Sequence, residues 1–194
     1  QAFSSPPLKP LFGAKLEEAV ERSPFSVPAP IALLSAHLYD GDYLKQEGCF
    51  RTAGNAAAVS GLIEAFNSNA PPESVAELKA LNIDGPVACD ALKRYMTLLP
   101  ERLLEFDDDL SALAKRFDES GTALDDTASE ELRTVVKQLD SSRRLLLSVW
   151  LWLMDQVSVQ HHTTTRLSRS SIAMCLAPTL VVIPTAPDDM SAYV

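Results

Sequence analysis

The sequence predicts an all-α fold, a single helical-bundle domain, on three observations. Apolar residues recur at the helical spacing i, i+3, i+4, i+7 in several separate segments. The one β-branched run, Val181-Val182-Ile183, is three residues long and too short for a convincing strand. A length of 194 residues, 46% hydrophobic and 22% charged, suits one domain with a sizeable core rather than two large ones.

Six of the thirteen prolines (Pro6, Pro7, Pro10, Pro24, Pro28, Pro30) fall within the first thirty residues. Residues 1–11 are therefore expected to form an extended, Pro-rich lead-in, followed by a short helical turn near Lys15 to Arg22. Pro30 suits a first helical position, and Ile31, Leu34 and Leu38 carry the apolar face behind it. Asn55 is a plausible N-cap for a helix bearing Val59, Leu62, Ile63 and Phe66. Ala70 to Pro72 reads as a loop. Leu92, Tyr95, Met96 and Leu99 repeat the helical spacing, as do Leu132, Val135, Val136 and Leu139 behind a capping-box pattern, Thr127-x-x-Glu130. Arg143 to Val157 is apolar on nearly every side, which predicts a helix buried in the middle of the bundle. Ile172 to Leu180 reads as a second buried segment, ended by Pro178 and then Pro184. The helical domain is assigned to 12–184 and a C-terminal tail to 185–194. Because the chain opens Gln1-Ala2-Phe3-Ser4 without an initiator Met, we expect one domain of a larger multidomain protein.

Seventeen Lys and Arg against 26 Asp and Glu give a formal net charge of −9, which disfavours a surface for nucleic acid or anionic lipid. That charge is unevenly distributed. Glu101 to Asp140 holds twelve acids and five bases, six of the acids within Glu105 to Glu119, whereas Ser141 to Ile183 holds one acid and four bases. An acidic protein surface or a phosphate thus remains a possible target. The longest apolar run, Leu145 to Met154, is shorter than the roughly 18 residues of a membrane-spanning helix, so direct membrane insertion is not expected. Cys49, Cys89 and Cys175 are odd in number and far apart, which fits neither a disulfide framework nor a Cys-x-x-Cys site and suggests a reduced, cytoplasmic setting.

Chemistry of the chain's own finds little support. His161 and His162 are adjacent, so on a helix they point roughly 100° apart and cannot share one metal ion comfortably. His37 is most simply a partly buried side chain. No nucleophile motif surrounds Ser60, Ser141 or Cys175, and the seven glycines form no phosphate-cradling loop. Neither a metal nor a cofactor of its own is expected. The segment Glu47 to Asn55 differs, because it places Arg51 between Gly48 and Gly54 on a loop that opens into an amphipathic helix. Taken alone, such an arginine is more often a solvated charge than a functional group.

The stretch Glu47-Gly48-Cys49-Phe50-Arg51-Thr52-Ala53-Gly54 resembles the E-G-[IL]-[FY]-R-x-S-G signature of the Rho GTPase-activating protein (RhoGAP) domain family. Phe12-Gly13 with Leu16 is similar to the family's F-G-x-x-L opening, and Val27-Pro28 to Leu34 to its V-P-x-x-[IL] helix start. Val87 to Leu104, with Leu92-Lys93-Arg94-Tyr95-Met96 and Leu99-Pro100-Glu101-Arg102-Leu103-Leu104, resembles L-K-x-[FY]-L-R-x-L-P-E-P-L. Ser171-Ile172-Ala173-Met174-Cys175-Leu176-Ala177-Pro178-Thr179-Leu180 resembles N-L-A-x-[VC]-[FL]-[GA]-P-x-L. These blocks follow in order from Phe12 to about Ile183, and the acidic middle matches least.

The resemblance implies a helical domain that docks on a Rho- or Rac-type small GTPase in its GTP-bound form. Arg51 would then be an arginine finger acting in trans, with GTP and Mg2+ carried by the partner and no independent active site. Lys93 matches a lysine that supports the finger loop and the GTPase contact. Arg94, its neighbour, is placed on the same docking face, although the family pattern has no counterpart for it and its helical direction also allows solvent. Thr97 stands where the family has an arginine, Ser171 where it has the asparagine that contacts the GTPase, and Arg102 replaces a proline. Losing a charged donor at Thr97 removes bracing of roughly 1.5 to 3 kcal/mol, so a GTPase-binding module with weak or no activation is the alternative. Membrane recruitment would come through other domains or the lipid-anchored partner.

Overall fold

The computed structural model describes residues 10–104, 112 and 126–181. The expected lead-in before Pro10, the acid-rich stretch at 105–111 and 113–119, and the tail at 185–194 lie outside the described residues. The helices are α1 (Leu16–Glu21), α2 (Ala29–Asp40), α3 (Ala56–Asn67), α4 (Val75–Ala80), α5 (Gly85–Leu98), α6 (Asp126–Gln138), α7 (Ser141–Asp155), α8 (His162–Thr165) and α9 (Arg169–Leu180). Among the described residues there is no strand, and Val181 forms only an isolated bridge with Leu104. The fold is all-α, as the periodicity predicts.

Local sequence explains most helix starts. The Asn55 side chain accepts from the Ala58 N–H and so caps α3. Asp84 does the same for Val87 in α5, and Pro86, in the first turn, has no N–H to satisfy. Asp140 caps α7 and Ser168 caps α9. The periodic positions Val59, Leu62 and Phe66 of α3 and Leu92, Tyr95 and Met96 of α5 are buried in one cluster.

The central helix is α5, which packs against α2, α3 and α9. Its Ala88, Cys89, Ala91, Leu92, Tyr95 and Met96 are all buried, and the small Ala88 and Ala91 let neighbouring backbones approach. The central place expected for Arg143 to Val157 is thus corrected. In α7, Leu146, Leu147, Trp150 and Leu153 face inward while Leu145, Leu151 and Trp152 remain exposed, Trp152 meeting the exposed ring of Tyr39 at a tilt, 5.7 Å between centroids. Bulky side chains on every face cannot all be accommodated where, among the described residues, only one side of the helix is buried.

Three further expectations are corrected. Thr127 does not start a capping box, because α6 already begins at Asp126; the Glu130 carboxylate reaches forward to Arg133 at 3.0 Å and Lys137 at 3.5 Å instead. The face of Leu132, Val135, Val136 and Leu139 is only partly covered, with Leu132 exposed. Pro178 does not end α9, which runs on to Leu180. Leu176, Thr179 and Leu180 are buried on either side of it, and that packing holds the last turn despite the missing N–H. Helix α4, the 3-10 turn Tyr43–Lys45 and the π turn Gln156–Gln160 were not anticipated, being too short to show a period.

His37 is buried on α2, its Nε2 donating to the Ile83 carbonyl at 3.2 Å. Burial lowers its pKa below 6.5; the Ile83 bond opposes this, Lys79 adds to it and Asp40 opposes it. The unfolded chain therefore binds this proton more readily than the folded one, so the histidine's stabilising contribution is complete above about pH 6.5 and declines as pH falls below it. Between about pH 7 and pH 5 the melting temperature of His37→Gln is expected to fall less than that of the parent. Equal slopes would exclude His37 as the cause.

Candidate functional site

Arg51 is exposed on the loop between the Tyr43–Lys45 turn and α3. The chain reverses there through two left-handed residues, Gly48 at φ 73° and Phe50 at φ 64°. Gly48 is needed twice over: its φ disfavours a side chain, and a Cβ would lie 2.7 Å from Thr52 Oγ1. Its carbonyl accepts from the N–H groups of Arg51 and Thr52, both at 2.8 Å, and its own N–H donates to Thr165 O at 3.1 Å. Thr165 is itself fixed, its buried hydroxyl donating to Val157 O at 2.8 Å beside the π turn.

Phe50 pays about 1–2 kcal/mol for a left-handed conformation, and its surroundings explain why it stays there. The ring is 1% exposed and meets Trp150 edge-on at 6.3 Å, while the carbonyl accepts from Lys93 Nζ at 3.1 Å. With the aromatic ring fixed inward, the next side chain, Arg51, is delivered to solvent.

Two residues of α5 clamp the loop on either side of Arg51. Lys93 holds the Phe50 carbonyl and forms a 2.6 Å ion pair with Asp90 Oδ1. The other oxygen of Asp90 accepts from the Gly54 N–H at 2.8 Å. Both side chains are largely shielded, at 24% and 21% exposure, which makes the pair stronger than a solvated one. Gly54 permits this approach, since a Cβ there would sit 2.7 Å from Val87 Cα and 2.8 Å from Pro86 O. Those atoms are backbone and cannot swing aside. Gly54→Ala is therefore expected to destabilise the domain by about 1–3 kcal/mol, read as a drop in denaturant midpoint; an unchanged midpoint would mean the loop does not rest on α5 as described.

Among the described residues, the remaining candidates make no hydrogen bond to the finger loop. Arg94 and Thr97 are exposed on α5, one turn apart. The Thr97 hydroxyl donates to the Lys93 carbonyl of its own helix rather than to the loop. Ser171 is half-buried in the first turn of α9, its hydroxyl 2.9 Å from that of the capping Ser168. Arg102, at the proline position, donates to Met96 O at 3.3 Å. Because α5 and α9 pack together, Arg94, Thr97 and Ser171 lie on neighbouring elements. Among the described residues no His, Cys, Asp and Glu cluster could hold a metal ion, and no helix is long and apolar enough to cross a membrane.

Sequence reasoning missed Asp90. Its signal was present, an acid three residues before Lys93 on one helix face, but that spacing is common on solvated surfaces. The anchor through Thr165 had no local signal, since it joins positions far apart in the chain.

The family model for the RhoGAP domain matches residues 28–185. RalA-binding protein 1 of Drosophila melanogaster is 29% identical over 174 residues, spanning 88% of this chain and 26% of that protein. Rho GTPase-activating protein gacHH of Dictyostelium discoideum is 26% identical over 174 residues, spanning 90% of this chain and 10% of that protein. The chain thus corresponds to about a quarter of the first relative and a tenth of the second. Among solved structures, human Rho GTPase activating protein 15 superposes with a TM-score of 0.74 at 21% identity, over 94% of this chain and 82% of that one, which shows a shared fold.

Proposed function

The chain belongs to the RhoGAP domain family, a family of GTPase activators, and on that premise we propose that it docks on a GTP-bound Rho- or Rac-type GTPase and inserts Arg51 into the partner's active site. The observation that carries this reading is the pairing of an exposed Arg51 with a loop held from both sides by Lys93 and Asp90. A finger must reach out of its domain, yet its backbone must not wander.

The chemistry follows from what GTP hydrolysis needs. Negative charge is redistributed around the transferring phosphoryl group and the leaving phosphate, and a positioned water must attack in line. A guanidinium is permanently charged and planar, so it can bond two phosphate oxygens at once and neutralise that charge without reorganising. Lysine offers the charge without the fork. Arg94, Thr97 and Ser171 would form part of the docking face, and Lys93 would act chiefly by fixing the Phe50 carbonyl and hence the base of the finger. GTP and Mg2+ would arrive with the partner.

A second reading is favoured by Thr97 and Ser171, whose hydroxyls are engaged within their own helices. With less bracing and less reach than the side chains of the family pattern, the domain would bind a GTPase while accelerating it weakly or not at all. Single-turnover phosphate release from GTP-loaded Rho- and Rac-type GTPases, with and without the domain, separates the two. Strong stimulation supports the finger; retained binding without stimulation supports the docking module and overturns the activator.

A further inference from the structure

Cys49 and Cys89 are brought together by the same loop, 40 residues apart in sequence and 3.6 Å apart between sulfurs. Cys49 lies two residues before Arg51, and Cys89 precedes Asp90 and lies one helical turn before Lys93 on α5. Both line a cleft beside the loop, together with Tyr43, Gly48, Phe50 and Pro86. Cys49 retains 8% exposure and Cys89 1%, so Cys49 is the more open of the two to a small reagent entering the cleft. No other part of the chemistry described above uses either thiol.

We propose that this pair is a redox modification site, in which hydrogen peroxide converts Cys49 and Cys89 into a disulfide that ties the finger loop to α5. The Cys49 thiolate attacks one peroxide oxygen; an S–O bond forms, the O–O bond breaks and the leaving hydroxide is protonated to water. The Cys89 sulfur then attacks the Cys49 sulfenic acid, forming the S–S bond and expelling hydroxide, which takes the Cys89 proton and leaves as a second water. Two thiols lose two electrons, and one hydrogen peroxide becomes two waters. The order of events follows from burial, which pushes the Cys89 thiol up, with its contact to Cys49 adding to the effect; Cys49 is the sulfur that meets the oxidant.

The consequence for activity rests on the finger reading of Arg51. Closing the sulfurs from 3.6 Å to about 2.05 Å is met by turning the two side chains and by shifting the loop on α5. Such a shift strains the contacts that seat the loop, Gly54 against the α5 backbone and the Phe50 carbonyl on Lys93, and so moves the finger between them. A finger displaced by about 1 Å loses on the order of a hundredfold in rate.

The test uses the domain carrying Cys175→Ser, which removes the third thiol. After hydrogen peroxide, the intact mass should fall by about 2 Da, a peptide joining Cys49 to Cys89 should appear, and stimulation of GTP hydrolysis should drop roughly tenfold to hundredfold, all reversed by dithiothreitol. Cys89→Ala, or Cys49→Ser should the buried substitution misfold, should show neither the loss of about 2 Da nor the linked peptide, whatever its starting activity. Thiols that remain free or go only to higher oxides overturn the site, and a linked domain with full stimulation overturns its effect on the finger. The mass reading needs no GTPase: a reduced domain that accelerates none sinks the finger, and the linked peptide then decides the disulfide alone.

Discussion

Arg51→Ala is expected to lower the stimulated rate of GTP hydrolysis by ~10³ to 10⁵, roughly 4 to 7 kcal/mol of barrier, while melting temperature and affinity for the GTP-bound partner change little. The separation follows from where the residue sits. Arg51 is exposed and its loop is shaped by Gly48, Phe50 and Gly54, so truncating it removes neither packing nor a backbone anchor. Its proposed interaction exists only when charge develops on the phosphate, which makes it a transition-state interaction and not one of ground-state binding. Arg51→Lys should recover little of the loss, because a point charge does not replace the planar fork. Single-turnover phosphate release measures the rate, and binding of a GTPase loaded with a non-hydrolysable nucleotide measures the affinity. Arg51→Ala with stimulation intact would remove the finger from the mechanism.

Asp90→Ala is expected to produce the next largest loss, on the order of a hundredfold in stimulated rate, the cost of displacing a reacting group by about 1 Å. Asp90 touches no partner in this account; it is a positioning residue. One of its oxygens holds Lys93 at 2.6 Å and the other the Gly54 N–H at 2.8 Å, so its removal loosens both ends of the loop and leaves a half-buried ammonium without its counter-ion. Asp90→Asn should lose less, since an amide oxygen can still accept from Gly54. The fall should lie in the maximal rate and not in the concentration of domain that half-saturates it, because the docking surface is untouched. Lys93→Met should be similar in size, and the double variant should cost much less than the two singles combined, as for groups that act through one network. Additive losses would mean that the two residues work separately.

Much of the fold was legible in the chain because it is local. Asn55 caps α3 through one side-chain bond, and Leu92, Tyr95 and Met96 share the buried face of α5 because a helix places such spacings on one side. Short elements were not legible: α4 has six residues and the turn at Tyr43–Lys45 three, fewer than two turns of an α-helix. Local reading failed outright where packing overruled propensity, at Pro178 inside α9 and along α7, whose apolar residues outnumber the neighbours able to cover them.

The sequence by itself determined the helical class, the order of the blocks and the presence of Arg51 between two glycines, because periodicity and motif are properties of adjacent residues. Tertiary structure decided what those residues do to one another. It brings α5 under the loop, so that Lys93 meets a carbonyl 43 residues away and Asp90 an N–H 36 residues away, seats Phe50 against Trp150, and sets two cysteines side by side. Contacts at such separations are fixed by the summed packing of the core and by no local rule, which is why the finger could be read from the chain and the clamp beneath it could not.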